Sequence, residues 1–254
     1  MKIGEQLYSL HTLCTTPEEL AQTFQKVHEI GYRYVQLSGL CACEASFMKD
    51  TLEENELQAI VCHANLDAIR ETPEQVISYY EAVGCPNIGI GAMPKEYRGT
   101  LEGYEAFIKD FTPAMDCLRE HGKQLFYHNH AFDFARYPDG TCLLDRMAEN
   151  ENVSLLLDTY WIHMGGHNEV EAIRKAAGRC RIIHFKDWEL DGNTPRYAPI
   201  LRGNLHWDEI YAACQEIGVE YAFVEQDKTY GDETPLQCAE ISYQNMKKKG
   251  WMEE

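Results

Sequence analysis

The sequence predicts a (β/α)8 (TIM) barrel, in which helices surround a closed sheet of parallel strands. Strand-like apolar runs and helix-like segments alternate along the whole chain in eight units. The 254 residues match the usual size of one such barrel, so we expect a single domain over residues 1–254. Several strand-like runs end in a histidine or a carboxylate, which is typical of the active-site rim of this fold. An open doubly wound sheet is the alternative, but no glycine-rich nucleotide or phosphate motif follows any strand.

The first half of the chain contains four predicted β/α units. Their strands are short apolar runs, as expected for parallel strands that are buried on both faces. Proline at the first helical position and glycine after the last helical residue mark several helix boundaries. The predicted strands are Ile3–Ser9, Tyr34–Leu37, Ala59–His63 and Asn87–Ile90. The predicted helices are Pro17–Ile30, Glu44–Asn55, Thr72–Gly84 and Leu101–Gly122.

The second half repeats the alternation. The predicted strands are Leu125–His130, Val153–Asp158, Arg181–His184 and Tyr221–Glu225. The predicted helices are Cys142–Ala148, Asn168–Ala177, Trp207–Ile217 and Thr234–Lys249. The least regular stretches, 92–100, 131–140 and 188–204, follow strands four, five and seven, where loops build the active sites of such barrels.

Composition excludes several classes of protein. The net charge of −18 disfavours a nucleic-acid partner, because it repels the phosphate backbone. The N-terminus has no long apolar segment, and no apolar run is long enough to span a membrane, so we expect a cytoplasmic protein. A homo-oligomer and a partner subunit are both compatible with this composition.

The ten cysteines do not form a recognisable framework. Cys41 and Cys43 make a C-x-C pair, but the chain has no CxxC pair that would indicate a zinc ribbon or a redox motif. We therefore expect buried thiols and no structural disulfide.

Three successive strands end in side chains that bind metals. Asp158, His184 and Glu225 close strands six, seven and eight, so a closed barrel brings them to one rim. Two oxygen ligands and one nitrogen ligand suit a borderline divalent cation. We expect one such ion, with Mn²⁺ favoured and Co²⁺, Zn²⁺ or Mg²⁺ as alternatives. The competing interpretation of each residue alone is a capping or salt-bridging role.

Strand five adds a histidine cluster. His128 and His130 alternate along an extended segment, so they share one face, and a neutral imidazole there can bind metal or accept a proton. Asp133 follows three residues later and either supplies another carboxylate ligand or caps the next turn.

Other polar or aromatic residues near strand ends are candidates for binding substrate. Structural roles compete with each of these assignments. The candidates are Gln6 and His63 at the ends of strands one and three, Lys186 beyond strand seven, Arg202 in the following loop, and Trp161 as a stacking surface for a sugar ring.

Five motifs in order along the chain resemble the sugar phosphate isomerase/epimerase family of the xylose isomerase-like TIM barrels. They are GEQLYS at 4–9, YHNHAFDF at 127–134, LDTYW at 157–161, HFKD at 184–187 and VEQD at 224–227. The resemblance implies a divalent metal held by a carboxylate on strand five together with Asp158, His184 and Glu225. His128 stands where many relatives carry Glu, so either His128 replaces that ligand or Asp133 supplies it. We favour Asp133, which frees His130 for proton transfer.

The resemblance implies an enzyme of carbohydrate metabolism that removes a proton next to a carbonyl of a sugar or keto-sugar. We expect an isomerase or epimerase, with His130, His128 and Glu225 as the catalytic residues. A lyase that cleaves 3-keto-glycosides by the same first step is the alternative. A metal-free carbohydrate-binding protein or partner subunit is a second alternative. A nuclease related to endonuclease IV is disfavoured, because it needs a basic surface.

Overall fold

The computed structural model describes residues 1–252, so Glu253 and Glu254 of the predicted domain lie outside the described part. Ten strands occur in that part: β1 (Lys2–Gln6), β2 (Tyr34–Leu37), β3 (Gln58–His63), β4 (Asn87–Ile90), β5 (Leu125–His128), β6 (Val153–Asp158), β7 (Cys180–Phe185), β8 (Asp187–Asp191), β9 (Thr194–Ala198) and β10 (Tyr221–Val224). Eight of them form a closed parallel barrel, in which β10 pairs with both β7 and β1. The predicted fold is confirmed. The remaining two strands, β8 and β9, form an antiparallel hairpin outside the barrel.

Helices follow the barrel strands and carry the capping chemistry that the sequence indicates. They are α1 (Pro17–Ile30), α2 (Ala45–Glu54), α3 (Leu66–Glu71), α4 (Pro73–Val83), α5 (Leu101–Glu120), α6 (Leu143–Glu149), α7 (Thr159–Met164), α8 (Glu169–Lys175), α9 (Trp207–Ile217) and α10 (Pro235–Lys248). The Thr16 side chain accepts a hydrogen bond from the backbone N–H of Glu19 at the start of α1, and such a cap satisfies an otherwise unpaired donor. Within residues 1–252, no helix has the length and apolar character needed to cross a membrane.

The main differences from the predicted elements concern strand one, two short helices and a hairpin, and β5 also ends at His128, two residues before its predicted end. Strand one ends at Gln6, because the Gln6 side chain accepts the N–H of Tyr8 and starts a 3-10 helix over Leu7–Leu13. The short helices α3 and α7 begin at the side-chain caps Asn65 and Asp158. The hairpin of β8 and β9 occupies most of 188–204, one of the three stretches that we expected to be irregular.

Alternation along the strands places an apolar layer beneath a polar layer inside the barrel. One buried cluster contains Ile60, Val61, Phe126, Leu156, Ile182 and Phe223. Four of these residues stand two positions before His128, Asp158, His184 and Glu225. Residues two apart on a strand share a face, so the four polar side chains point into the barrel above this apolar floor.

Close packing at the bottom of the barrel explains Gly4. A Cβ atom at this position would overlap the backbone oxygen of Tyr34 and lie 2.7 Å from the ring of Phe223. Only glycine therefore fits at this position of β1.

Candidate metal and active site

Four buried side chains converge at the C-terminal end of the barrel. They are His128 at the end of β5, Asp158 at the end of β6, His184 on β7 and Glu225 just after β10. Each offers one ligand atom, and these atoms lie within 4.8 Å of one another. Asp158 and His184 are register partners in the sheet, which explains why residues so far apart in sequence meet. We call these four residues the ligand cluster.

The polar atoms of the ligand cluster lack ordinary hydrogen-bond partners. His128 Nδ1, Asp158 Oδ2, His184 Nδ1 and Glu225 Oε2 are all buried without a partner in hydrogen-bonding geometry. His184 Nδ1 nevertheless lies 2.6 Å from Glu225 Oε2 and 3.8 Å from Asp158 Oδ2. Buried polar atoms are normally satisfied, so four that face one another fit a bound cation. Two imidazoles and two carboxylates suit a borderline divalent ion.

The charges of the ligand cluster are mutually dependent. Burial would lower the pKa of His184, but the Glu225 and Asp158 carboxylates raise it to about 9. Burial would raise the pKa of Glu225, but Lys186 and His184 hold it well below its usual value. Burial and the neighbouring His184 lower the pKa of His128, which keeps that ring neutral and able to act as a ligand.

The structure does not bring Asp133 into the ligand cluster. Asp133 lies on a 3-10 helix over Ala131–Phe134, where its Oδ2 accepts the backbone N–H of His130 at 2.7 Å. Its Oδ1 accepts the hydroxyl of Tyr127 at 2.9 Å. Both oxygens thus already accept a hydrogen bond, one of them as a cap, and His128 rather than Asp133 occupies the fourth position of the cluster.

His130 lies in the same cavity as His128 but outside the ligand cluster. Their ring centroids are 4.8 Å apart, which agrees with the shared face predicted from the sequence. The centre of the His130 ring lies 5.5 Å from that of Phe132, in a stacked arrangement, and 5.0 Å from that of Trp161. Burial and the charge of Lys186 lower the pKa of His130 to about 4, so its imidazole is neutral at pH 7.

Lys186 places a buried positive charge beside the ligand cluster. Its Nζ donates to Asp227 Oδ2 at 2.7 Å and lies 3.4 Å from Glu225 Oε1. The ammonium also lies 5.1 Å from the centre of the Trp161 ring and 4.9 Å from that of Tyr197, which the hairpin contributes. Burial opposes the charged form, but Glu225 and Asp158 raise the pKa of Lys186, so it stays protonated.

A buried amide connects the ligand cluster to the wall of the barrel. Gln36 Oε1 is 2.8 Å from His184 Nε2, and Gln36 Nε2 is 2.9 Å from His63 Nε2. The other ring nitrogen of His63 is 3.3 Å from Ser38 Oγ. Burial and His184 lower the pKa of His63 to about 3, so this ring is neutral.

A cavity of about 260 Å³ opens above these residues, and only some of the predicted binding residues line it. Gln6, His63 and Lys186 line it, while Trp161 contacts both His130 and Lys186. Arg202 is not among the lining residues of this cavity; it forms a two-bond ion pair with Glu233, at 2.6 and 2.7 Å.

Sequence reasoning missed several residues of this region. Gln36, Ser38 and Asp227 belong to the site or its support. Gln36 had a usable signal, because a polar residue within the apolar run of β2 must face a polar interior. A second cavity of about 620 Å³ adjoins the first and shares Ser38 and His63 with it.

Asp187 anchors the chain that follows Lys186. Its buried carboxylate accepts five hydrogen bonds, from the backbone N–H groups of Trp188, Leu201, Gly203 and Leu205 and from the indole of Trp207. The segment 199–207 is therefore fastened to the end of β7. Leu201 adopts a left-handed backbone conformation with φ of 67° within this segment.

Comparison with known proteins identifies relatives of this fold. The sequence model of the xylose isomerase-like TIM barrel family matches residues 24–240. Two structures of sugar phosphate isomerase/epimerases from Parabacteroides distasonis resemble the chain with TM-scores of 0.82 and 0.81, at 18% and 20% identity. The matches cover 99% of this chain in both cases, and 95% and 99% of those chains. L-Ribulose 3-epimerase has a TM-score of 0.73 at 14% identity, covering 99% of this chain and 95% of its own. No curated protein matches the sequence.

Proposed function

The chain belongs to the xylose isomerase-like TIM barrel family, and we propose that it is a divalent-metal-dependent isomerase or epimerase of a sugar or keto-sugar. One observation carries this proposal: four buried ligand atoms without hydrogen-bond partners face one another beside a cavity of about 260 Å³. A small concave site with a few convergent polar groups suits a small polar substrate. Structural neighbours named as sugar epimerases support the choice of substrate class.

His128, Asp158, His184 and Glu225 would hold the metal. When bound, a divalent ion supplies Lewis-acid polarisation of a substrate carbonyl. His128 thus serves as a ligand in this proposal rather than as an acid or base. Glu225 contributes Oε2 to the ligand cluster, and its Oε1 faces Lys186 at 3.4 Å.

His130 is our choice for the base that removes the proton next to the carbonyl. Its ring is neutral at pH 7, and the rings of Phe132 and Trp161 hold it in place. Asp133 fixes the backbone N–H of the same residue. A base must be unprotonated at the working pH and close to the reacting carbon, and the neutral ring of His130 in the cavity beside the ligand cluster supports this choice.

Lys186 would stabilise the negative charge that develops on the substrate oxygen. Its ammonium is buried, positively charged and held by Asp227 and Glu225. Fixed charges in a water-poor site stabilise such charge strongly, because they need no reorganisation during the reaction. We assign the return of a proton to Asp227, because burial and the neighbouring Glu225 raise the pKa of its carboxyl group to about 7.

A lyase that cleaves a keto-glycoside is the second candidate function. The adjoining cavity of about 620 Å³ favours it, because that space would receive the departing group of a glycoside. The shared residues Ser38 and His63 place the two spaces side by side. Both reactions begin with the same proton removal and differ only in whether a leaving group departs.

Proton NMR in D₂O tests the proposal. The protein is loaded in turn with Mg²⁺ and Zn²⁺ and incubated with a panel of keto-sugars and 3-keto-glycosides. We expect loss of the signal of one carbon-bound proton next to the carbonyl, which identifies the position attacked. A released aglycone would assign the lyase reaction, and exchange without release would assign the epimerase. Absence of exchange across the panel in metal-loaded protein would count against both.

A further inference from the structure

We propose that Gln36 is a positioning residue that fixes the tautomers of His184 and His63 and thereby sets the affinity of the ligand cluster for a divalent cation. This inference rests on the metal site proposed above. Gln36 lies on β2 and is completely buried. Its amide forms hydrogen bonds with His184 of the ligand cluster and with His63, which lies outside the cluster. Both halves of its amide are used on histidine rings.

The oxygen of the amide determines the protonation of His184. An amide oxygen only accepts hydrogen bonds, so His184 Nε2, at 2.8 Å, must carry a hydrogen and donate it. When a bound cation displaces the second proton of the ring, the lone pair stands on Nδ1, the atom that faces Asp158 and Glu225. A ligand histidine commonly donates its second N–H to a carbonyl or carboxylate, which fixes its tautomer and orientation.

The nitrogen of the same amide determines the protonation of His63. An amide NH₂ group only donates, so His63 Nε2, at 2.9 Å, must be unprotonated. The hydrogen of the neutral ring is then on Nδ1 and is donated to Ser38 Oγ at 3.3 Å. Both nitrogens of His63 therefore have hydrogen-bond partners. The centre of its ring lies 5.4 Å from that of His128 and 5.7 Å from that of His184, so it packs against both rings.

The opposite orientation of the amide has an opposite and measurable consequence. With oxygen and nitrogen exchanged, His184 Nε2 would accept, and the hydrogen of its neutral ring would stand on Nδ1, towards the ligand cluster. That nitrogen would then be blocked as a ligand. His63 would carry its hydrogen on Nε2. The tautomer of His63 thus reports the orientation of Gln36 without any metal or substrate.

Two variants and one matched control test the inference. Gln36→Met keeps the approximate shape but removes both hydrogen bonds, while Gln36→Glu keeps an acceptor for His184 and removes the donor to His63. Gln124→Met is the control, because Gln124 also uses both amide ends, with Ser154 Oγ at 2.6 Å and the Glu151 oxygen at 2.8 Å, at the opposite end of the barrel. Competition with a chromogenic chelator measures Zn²⁺ affinity, and long-range ¹H–¹⁵N correlation spectra report the tautomers.

We expect Gln36→Met to weaken Zn²⁺ binding by about 10–100-fold, the usual effect of losing a partner that orients a ligand. Gln36→Glu should bind Zn²⁺ at least as tightly as the natural protein and should move the His63 hydrogen from Nδ1 to Nε2. Gln124→Met should leave both measurements unchanged.

Two results would overturn the inference: a natural protein whose His63 carries its hydrogen on Nε2, or a folded Gln36→Met variant that binds Zn²⁺ as tightly as the natural protein. If Gln36→Met fails to fold, an unchanged His63 tautomer in Gln36→Glu would refute the role equally well. A natural protein that binds no Zn²⁺ would instead refute the proposed function, and the His63 tautomer would still decide the role of Gln36.

Discussion

Replacing His128 with alanine should greatly weaken binding of a divalent metal, whereas Asp133→Asn should leave it nearly unchanged. His128 is one of four residues whose ligand atoms lie within 4.8 Å of one another, and its Nδ1 is buried without a partner. The Asp133 oxygens are instead used by Tyr127 and by the backbone of His130. The two substitutions therefore separate the two candidates for the strand-five ligand.

The magnitude follows from the position of each residue. Losing a group that only orients a ligand costs about 10–100-fold in metal affinity, so losing a ligand itself should cost about 100-fold or more. At about 1.4 kcal/mol per tenfold, this corresponds to about 2.8 kcal/mol of binding free energy. We expect Asp133→Asn to change the affinity by less than about threefold, because its side chain keeps its size and can still accept from Tyr127.

Titration with Mn²⁺, followed by electron paramagnetic resonance of the free ion, measures both affinities. Circular dichroism and thermal unfolding of the metal-free variants show whether each is folded. The reasoning is refuted if folded His128→Ala binds Mn²⁺ as the natural protein does while Asp133→Asn loses it. That result would restore Asp133 as the ligand and require the 131–134 turn to rearrange when metal binds.

Three further predictions concern the base, a buried acid and the thiols. His130→Ala should lower the rate of proton exchange next to the carbonyl by about 10²–10⁴ while metal stays bound, and loss of metal in that variant would contradict the assignment. Burial raises the pKa of Asp133 to about 7, so the folded protein keeps a proton that the unfolded chain loses above about pH 4. This contribution to stability is complete below the unfolded pKa and disappears as pH rises through 7. The free energy of unfolding of Asp133→Asn, measured with urea, should therefore rise relative to that of the natural protein by on the order of 2–4 kcal/mol between pH 4 and 8. A difference that stays constant over this range would contradict the pKa shift. All ten cysteines are free thiols, so the melting temperature should be the same with and without a reductant, and a large drop with reductant would reveal a disulfide.

The barrel and three members of the ligand cluster could be predicted because both depend on local patterns. Short apolar runs alternate with helices, and each strand carries its polar residue at the end where a parallel barrel gathers them. Asp158, His184 and Glu225 follow directly from that rule. The alternation also placed His128 and His130 in one cavity.

The role of Asp133 could not be derived from spacing alone. An acid three residues after a turn begins can swing towards a metal or fold back on the turn itself. In this chain the Ala131–Phe134 helix turns the carboxylate back to His130. The ion pair of Arg202 could not be derived either, since its partner Glu233 lies 31 residues later in the chain.

The hairpin was a missed signal rather than an unpredictable feature. Gly192 and Asn193 separate β8 from β9, and a Gly-Asn pair between two strand-like segments is typical of a two-residue hairpin turn. Gly192 has φ of 61°, the left-handed conformation that such a turn requires. The polar residues around it obscured the strands, because neither face of the hairpin is fully buried.

The anchoring role of Asp187 has a consequence for anyone who redesigns the mouth of this barrel. One carboxylate binds three backbone N–H groups and an indole of the 199–207 segment, so this segment behaves as a single part that cannot be randomised residue by residue. At Gly203 even a methyl group would overlap the Trp188 backbone oxygen and crowd the Asp187 carboxylate. The Gly192–Asn193 turn is not held by Asp187. The same hairpin nevertheless places the centre of the Tyr197 ring 4.9 Å from Lys186 Nζ. Libraries aimed at new substrates should therefore vary the hairpin and leave Asp187 and its loop intact.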